Sequence, residues 1–147
     1  MISIIQRVTQ SDVKVENRVI GSIERGIMAL IAVEHNDTEQ TAQRLLDRII
    51  NYRIFPDANY RMNLNLGDID GGLLLIPQFT LAANTRNGNR PSFTSAASPA
   101  HARMVFEMLL TYAQKKYHTV AAGQFGADMQ VALINDGPVT FTLTTGA

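Results

Sequence analysis

The sequence predicts an α+β fold, a mostly antiparallel, curved and barrel-like sheet with two helices packed against it. Three observations carry this prediction. Short runs rich in β-branched residues fill the first third, two longer stretches space their apolar residues helically, and the last quarter alternates like paired strands. With 147 residues, 46% of them hydrophobic and 18% charged, the chain suits one domain over 1–147 that buries a core without staples. No linker, repeat or low-complexity tract divides it.

Taken in order, ISIIQRV, VKV, RVIGSI and GIMALIAV read as a β-meander, with turns at Glu16-Asn17 and Glu24-Arg25-Gly26. The period then changes. Asp37 is placed to cap a helix, with Gln40 reaching back, and Ala42, Leu45, Leu46, Ile49 and Ile50 form one apolar stripe. MNLNL alternates as a half-buried strand, GDIDGG turns, and LLLIPQF runs inward as a buried strand. Ser98 and Pro99 open a second helix that carries Ala102, Val105, Phe106, Leu109, Leu110 and Ala113 on one face, with Lys115 and Lys116 at its C-terminal end. MQVALIN, an Asp-Gly turn and PVTFTLTT predict a closing hairpin.

Composition excludes several chemistries. The chain has no cysteine, so disulfides, thiolate metal sites and a cysteine nucleophile are out. The start, MISIIQRVTQ, lacks the pattern of a secretory leader, and no apolar run reaches bilayer-spanning length, so a cytoplasmic protein without membrane contact is expected. Thirteen basic residues balance thirteen acidic ones, which predicts no broad grip on DNA and confines any RNA contact to a patch. His35, His101 and His118 show no metal-ligand spacing and read as surface or cap residues, and Asp57, Asp68 and Asp70 as turn residues. GxSxG, GxGxxG and GxxxxGK are all absent, so neither a nucleophile elbow nor a nucleotide cofactor is indicated.

Two stretches go beyond what local structure requires. In LLLIPQFTLAANT, residues 73–85, Gln78, Thr80, Asn84 and Thr85 gather where the apolar run stops, yet no ionisable side chain lies between Asp70 and Arg86. The loop NTRNGNRPSF follows, with Arg86 and Arg90 placed to hold phosphates near a small polar pocket. In NDGPVTF, residues 135–141, Pro138 removes an NH that a returning strand would donate. It is either the first residue of an edge strand or, with Gly137, a rigid backbone device that a cis bond would orient.

PQFTLA, RPSF and GQFGADMQVALINDGPVTF, together with QRV near the start and YRIF in the middle, resemble the D-aminoacyl-tRNA deacylases of the bacterial and eukaryotic type along essentially the whole chain. The resemblance implies a hydrolase acting on the ester at the 3′ end of aminoacyl-tRNA, built as two helices on curved sheet, with no cofactor and no metal. It implies a pocket of Gln78, Phe79 and Thr80, and a homodimer in which Gly137 and Pro138 reach in from the partner subunit to reject L-amino acids. Arg7 and Met129 are expected to support that pair. Pro77 stands where the family has serine; a sibling branch that removes mischarged L-alanine also opens the motif with Pro-Gln, while Phe79 and NDGPVT favour the D-specific branch. The expected chemistry is a backbone NH, that of Phe79, holding an oxyanion while the substrate's own 2′-hydroxyl orients water and Thr80 positions by hydrogen bond. Glycyl-tRNA is an expected second substrate, because glycine has no chirality to reject. The rival reading is a non-enzymatic dimer binding RNA or a metabolite in the same pocket.

Overall fold

The computed structural model describes residues 1–146. In chain order the elements are β1 (Ile2–Val15), β2 (Arg18–Ile23), β3 (Gly26–Ala32), α1 (Glu39–Asn51), β4 (Phe55–Pro56), β5 (Met62–Leu64), β6 (Gly72–Pro77), a one-turn 3₁₀ helix (Phe79–Ala82), α2 (Pro99–Lys116), β7 (Val120–Ala122) and β8 (Gln130–Thr144). The main sheet runs β2-β1-β3-β6-β7, with β8 on the free side of β1, and β4 and β5 make a separate two-stranded piece. Ladders around β1 are antiparallel, whereas β3–β6 and β6–β7 are parallel. The parallel pairs follow from connectivity, because α1 lies between β3 and β6 and α2 between β6 and β7, and parallel neighbours require such crossovers.

The sheet curls until its ends meet. At Gly21 of β2 a Cβ would come within 2.9 Å of the Ala122 carbonyl oxygen of β7, so glycine permits the backbones to touch there. Curling separates two cores. Ile27, Ala29 and Ile31 of β3 and Leu73 and Leu75 of β6 face the helices, where they pack with Leu45, Ile49, Phe106 and Leu109. Met28, Leu74 and Ile76 point to the barrel interior with Val8, Val13 and Ile23. A strand covered on both faces has no polar side to show, which is why LLLI reads as a continuous apolar run.

The helices form where their stripes predict. Ala42, Leu45, Leu46, Ile49 and Ile50 of α1 are buried, as are Ala102, Val105, Phe106, Leu109 and Ala113 of α2; Leu110 is partly buried. The Ser98 hydroxyl accepts from the His101 amide and Pro99 occupies the first turn. The cap of α1 differs from expectation. Thr38, not Asp37, caps it, in a capping box completed by Thr41 rather than Gln40. Asp37 is buried and accepts instead from the Glu34 amide at 2.7 Å and from the Met1 ammonium at 2.8 Å, the latter too distant in sequence for a local pattern to register.

Two strand assignments also change. ISIIQRV and VKV belong to one strand, β1, because β8 runs alongside nearly its full length and the intervening residues stay in the ladder. For the same reason the closing hairpin does not exist. Residues 130–144 form a single strand in which Asp136-Gly137 makes no turn; the β1–β8 register shifts between Gln6 and Val8 and again between Val8 and Gln10, and the extra residues bulge outward. No helix among the described residues is long and apolar enough to cross a membrane.

Candidate active site

β6 ends at Pro77, whose missing NH costs the ladder nothing: the next residue, Gln78, donates its amide to the Ile31 carbonyl at 2.7 Å. The chain then winds into the 3₁₀ turn, with the Leu81 amide bonded to the Gln78 carbonyl and the Ala83 amide to that of Thr80. Gln78 Nε2 donates to Thr80 Oγ1 at 2.5 Å, which fixes the hydroxyl. The Phe79 and Thr80 amides, the first of the turn, have no acceptor among the described residues, so the turn presents two free main-chain donors.

Beside these amides lies an apolar cavity of about 240 Å³ lined by Pro77, Phe79, Ala97, Pro99, Ala102 and Phe125. Phe79 is 56% exposed and its ring centroid stands 5.4 Å from that of Phe93. Met129 belongs to this end of the molecule: its sulfur accepts from the Gln124 amide and would lie 2.7 Å from a Cβ on Gly123, with Ile76 and Pro77 each at 3.3 Å. It therefore borders the Gln78 stretch and not the Gly137-Pro138 pair of its own chain. Arg86 and Arg90 are exposed on the following loop, which is pinched by paired backbone bonds between Asn84 and Ser92.

Gly137 and Pro138 are joined by a cis bond and are exposed on β8, at the outward bulge. Their surroundings are firmly held. Arg7 Nε donates to the Asp136 carbonyl at 2.9 Å and lies 3.2 Å from its carboxylate, while Nη1 donates to the Ile54 carbonyl at 2.7 Å. Asn135 Nδ2 donates both to the Arg7 carbonyl and to that of Val139, spanning the pair from one side to the other. Arg7 is thus bonded to the residue that precedes the pair.

A single chain does not bring the two stretches together. Pro77 pairs with Ile31, which pairs with Ser3, whereas Gly137 lies outside Arg7, four residues along β1 and on the opposite side of it from β3. That is about 13 Å along the strand before the lateral separation is added.

The site is electrically quiet. No ionisable side chain lines the cavity. The groups with displaced titration lie elsewhere: hydrogen bonds from Asn63, then the backbone of Arg61, lower Asp57; the bond to Asp47 raises Lys116; and burial raises Tyr117. The histidines are structural, with His35 against the Ser95 carbonyl, His101 against that of Asp37 and His118 against the Asp70 carboxylate. Among the described residues no cluster of three or more His, Asp or Glu is arranged for a metal. Sequence reasoning passed over Phe93, Phe125 and Asn135, although each lies inside a stretch already singled out. Phe93 is in RPSF, Phe125 in GQFGADM and Asn135 in NDGPVTF.

The site thus combines free main-chain donors with an apolar cavity, on a curled sheet backed by two helices, and this architecture is that of a known class of α+β protein. The chain belongs to the D-Tyr-tRNA(Tyr) deacylase family, whose model matches residues 4–144. It is 55% identical over 143 residues to the D-aminoacyl-tRNA deacylase of Pseudoalteromonas translucida (strain TAC 125), covering 97% of this chain and 99% of that one. It is 52% identical over 145 residues to the same-named protein of Pseudomonas fluorescens (strain Pf0-1), covering 99% and 100%. A solved structure titled "c-Myc DNA Unwinding Element Binding Protein" superposes with a TM-score of 0.95 over 100% of both chains at 33% identity.

Proposed function

We propose that this protein hydrolyses the ester bond of D-aminoacyl-tRNA, releasing the D-amino acid and free tRNA. The observation that carries this reading is the pair of unengaged amides at Phe79 and Thr80 on the rim of an apolar cavity. An aminoacyl ester is already activated, so it needs less help than an amide would. Water adds to the ester carbonyl and the Phe79 amide holds the resulting oxyanion, a contribution of about a hundredfold or more in rate for one such donor. Collapse expels the ribose 3′-oxygen, which takes a proton, and leaves the carboxylate. With no base at hand, the substrate's 2′-hydroxyl orients the water, and Thr80, held by Gln78, positions the ester by hydrogen bond. The cavity beside Phe79 suits a flat, largely apolar group, and we assign it to the substrate's terminal base, which every aminoacyl-tRNA shares.

D and L isomers carry the same functional groups, so selectivity needs rigid backbone set against the α-carbon. Gly137 and Pro138 supply it, their carbonyls taking the amino group of a D-residue and blocking an L side chain. Glycine passes this filter, so glycyl-tRNA is a second substrate. Because the two stretches lie apart in one chain and, among the described residues, β8 pairs with β1 alone, leaving a long open edge, the working form is a homodimer in which each pair enters the partner's pocket. Arg7 braces the pair, Met129 borders the receiving pocket, and Arg86 and Arg90 hold tRNA phosphates. Residues 1–147 act as one domain, in the cytoplasm where charged tRNA is used.

The test compares D-tyrosyl-tRNA with L-tyrosyl-tRNA. Selective hydrolysis of the D-ester is expected. Faster hydrolysis of the L-ester would assign the protein to the L-alanine-removing branch, whose motif also opens with Pro-Gln as Pro77-Gln78 does here, and no acceleration of either over buffer would leave a binding dimer.

A further inference from the structure

We propose that Arg103 binds the phosphate of the terminal nucleotide and is the first electrostatic contact for the 3′ end of tRNA. The inference rests on the deacylase reading and deepens it. Arg103 lies in the first turns of α2, whose Pro99 and Ala102 line the apolar cavity. Its guanidinium carbon stands 5.1 Å from the centroid of the Phe125 ring, which also lines the cavity, so the charge lies over an aromatic surface. Gly126 completes that seat. Its φ of +78° favours glycine, and a Cβ there would come within 3.3 Å of Arg103 Nη2.

The charge is also unspent. Arg103 is exposed and forms no ion pair within 4.0 Å among the described residues, although Glu107 follows one turn later on the same helix. An exposed guanidinium seated over an aromatic ring and free of carboxylate partners is suited to a phosphate, which its planar fork can grip through two parallel bonds. The placement fits the order of groups in a nucleotide. With the base in the cavity and the 3′ ester at the Phe79 amide, the 5′ phosphate leaves one sugar away from the base, at the cavity mouth where Arg103 stands. Arg86 and Arg90 lie on the loop that carries Phe93, whose ring meets that of Phe79.

The experiment measures kinetics of the wild type, Arg103→Gln and Arg103→Lys on two substrates: D-tyrosyl-tRNA and 3′-O-D-tyrosyl-adenosine, which has no phosphate. Arg103→Gln is expected to raise KM for the tRNA about tenfold with kcat retained, to leave the adenosine ester unchanged, and to reduce the salt slope by about one. Arg103→Lys should keep most of the affinity. Equal loss on both substrates would mean that Arg103 merely props Phe125, and no loss on tRNA would remove it from the interface; either overturns the proposal. If the wild type cleaved neither ester, the deacylase reading would fail by itself, and filter binding of uncharged tRNA to the same three proteins would still decide on Arg103.

Discussion

Gly137 has no room for a side chain. A Cβ there would lie 2.5 Å from the Val139 amide nitrogen and closer still to the Asn135 carboxamide oxygen, so the backbone around the pair must move to admit one. Gly137→Ala is therefore expected to cut D-tyrosyl-tRNA hydrolysis by more than about tenfold and to narrow the D/L ratio, with a far-ultraviolet spectrum still native. Unchanged selectivity would detach Gly137 from chiral choice. Thr80 behaves differently, because it lacks a neighbouring base. Thr80→Ala should retain activity within about tenfold of wild type, whereas tRNA ending in 2′-deoxyadenosine should react about a hundredfold more slowly; equal rates on the two RNA ends would refute substrate-assisted attack. Tyr117 governs a separate, structural property. Its hydroxyl lies 2.5 Å from the Gly71 carbonyl and 3.2 Å from that of Leu66, and burial, then the Asp70 charge, raises its pKa. A raised folded-state value means that stability is fully present below the ordinary tyrosine value near pH 10 and drains away as pH climbs through the folded one. Thermal melts from pH 8 to 11 should show this alkaline loss in the wild type and less of it in Tyr117→Phe, which also costs about 1 kcal/mol at neutral pH.

Among the elements, β3 and β6 do most to place the site. Each alternates between the helix-side core and the barrel interior, so β6 is anchored on both faces up to Pro77 and delivers Gln78 and Phe79 at a defined height. Leu75 is fully buried in the helix-side core. Leu75→Ala is expected to lose about 2 to 5 kcal/mol in urea unfolding, a cost that grows with the cavity left behind. A loss below 1 kcal/mol would mean that the two cores collapse onto one another more readily than their packing implies. The helices were legible because their apolar periods are local and long. The Asp37 cap misread and the absent hairpin share one cause: Asp37 answers to Met1, and Asp136-Gly137 to β1, partners more than thirty residues away that no window of sequence displays. The 3₁₀ turn escaped notice because PQFTLA carries no turn residue after its proline.

At the scale of the molecule the balance of thirteen basic and thirteen acidic residues allows only a shallow dependence of tRNA affinity on salt, carried by a few arginines. The dimer is open to a direct test. A protein disabled in the pocket, Phe79→Pro, mixed after co-refolding with one disabled in the filter, Gly137→Ala, should regain up to about a quarter of wild-type activity, because half of randomly paired dimers hold one intact composite site. No recovery, or sedimentation as an active monomer, would place both stretches in one chain's site and contradict their separation.

What the sequence determined by itself was what short-range chemistry writes: two amphipathic helices, the strands flanking them, the absence of thiol chemistry, and the motif stretches that mark Gln78, Phe79, Thr80, Gly137 and Pro138. Tertiary structure decided the rest. It ran β8 past its turn signal along β1, left the Phe79 and Thr80 amides without acceptors, set Arg103 on Phe125, and kept the two motif stretches apart. The physical reason is that hydrogen-bond ladders and packed faces are satisfied between residues distant in the chain. A local pattern states what each segment is able to bury or donate, and the assembled sheet chooses the partner.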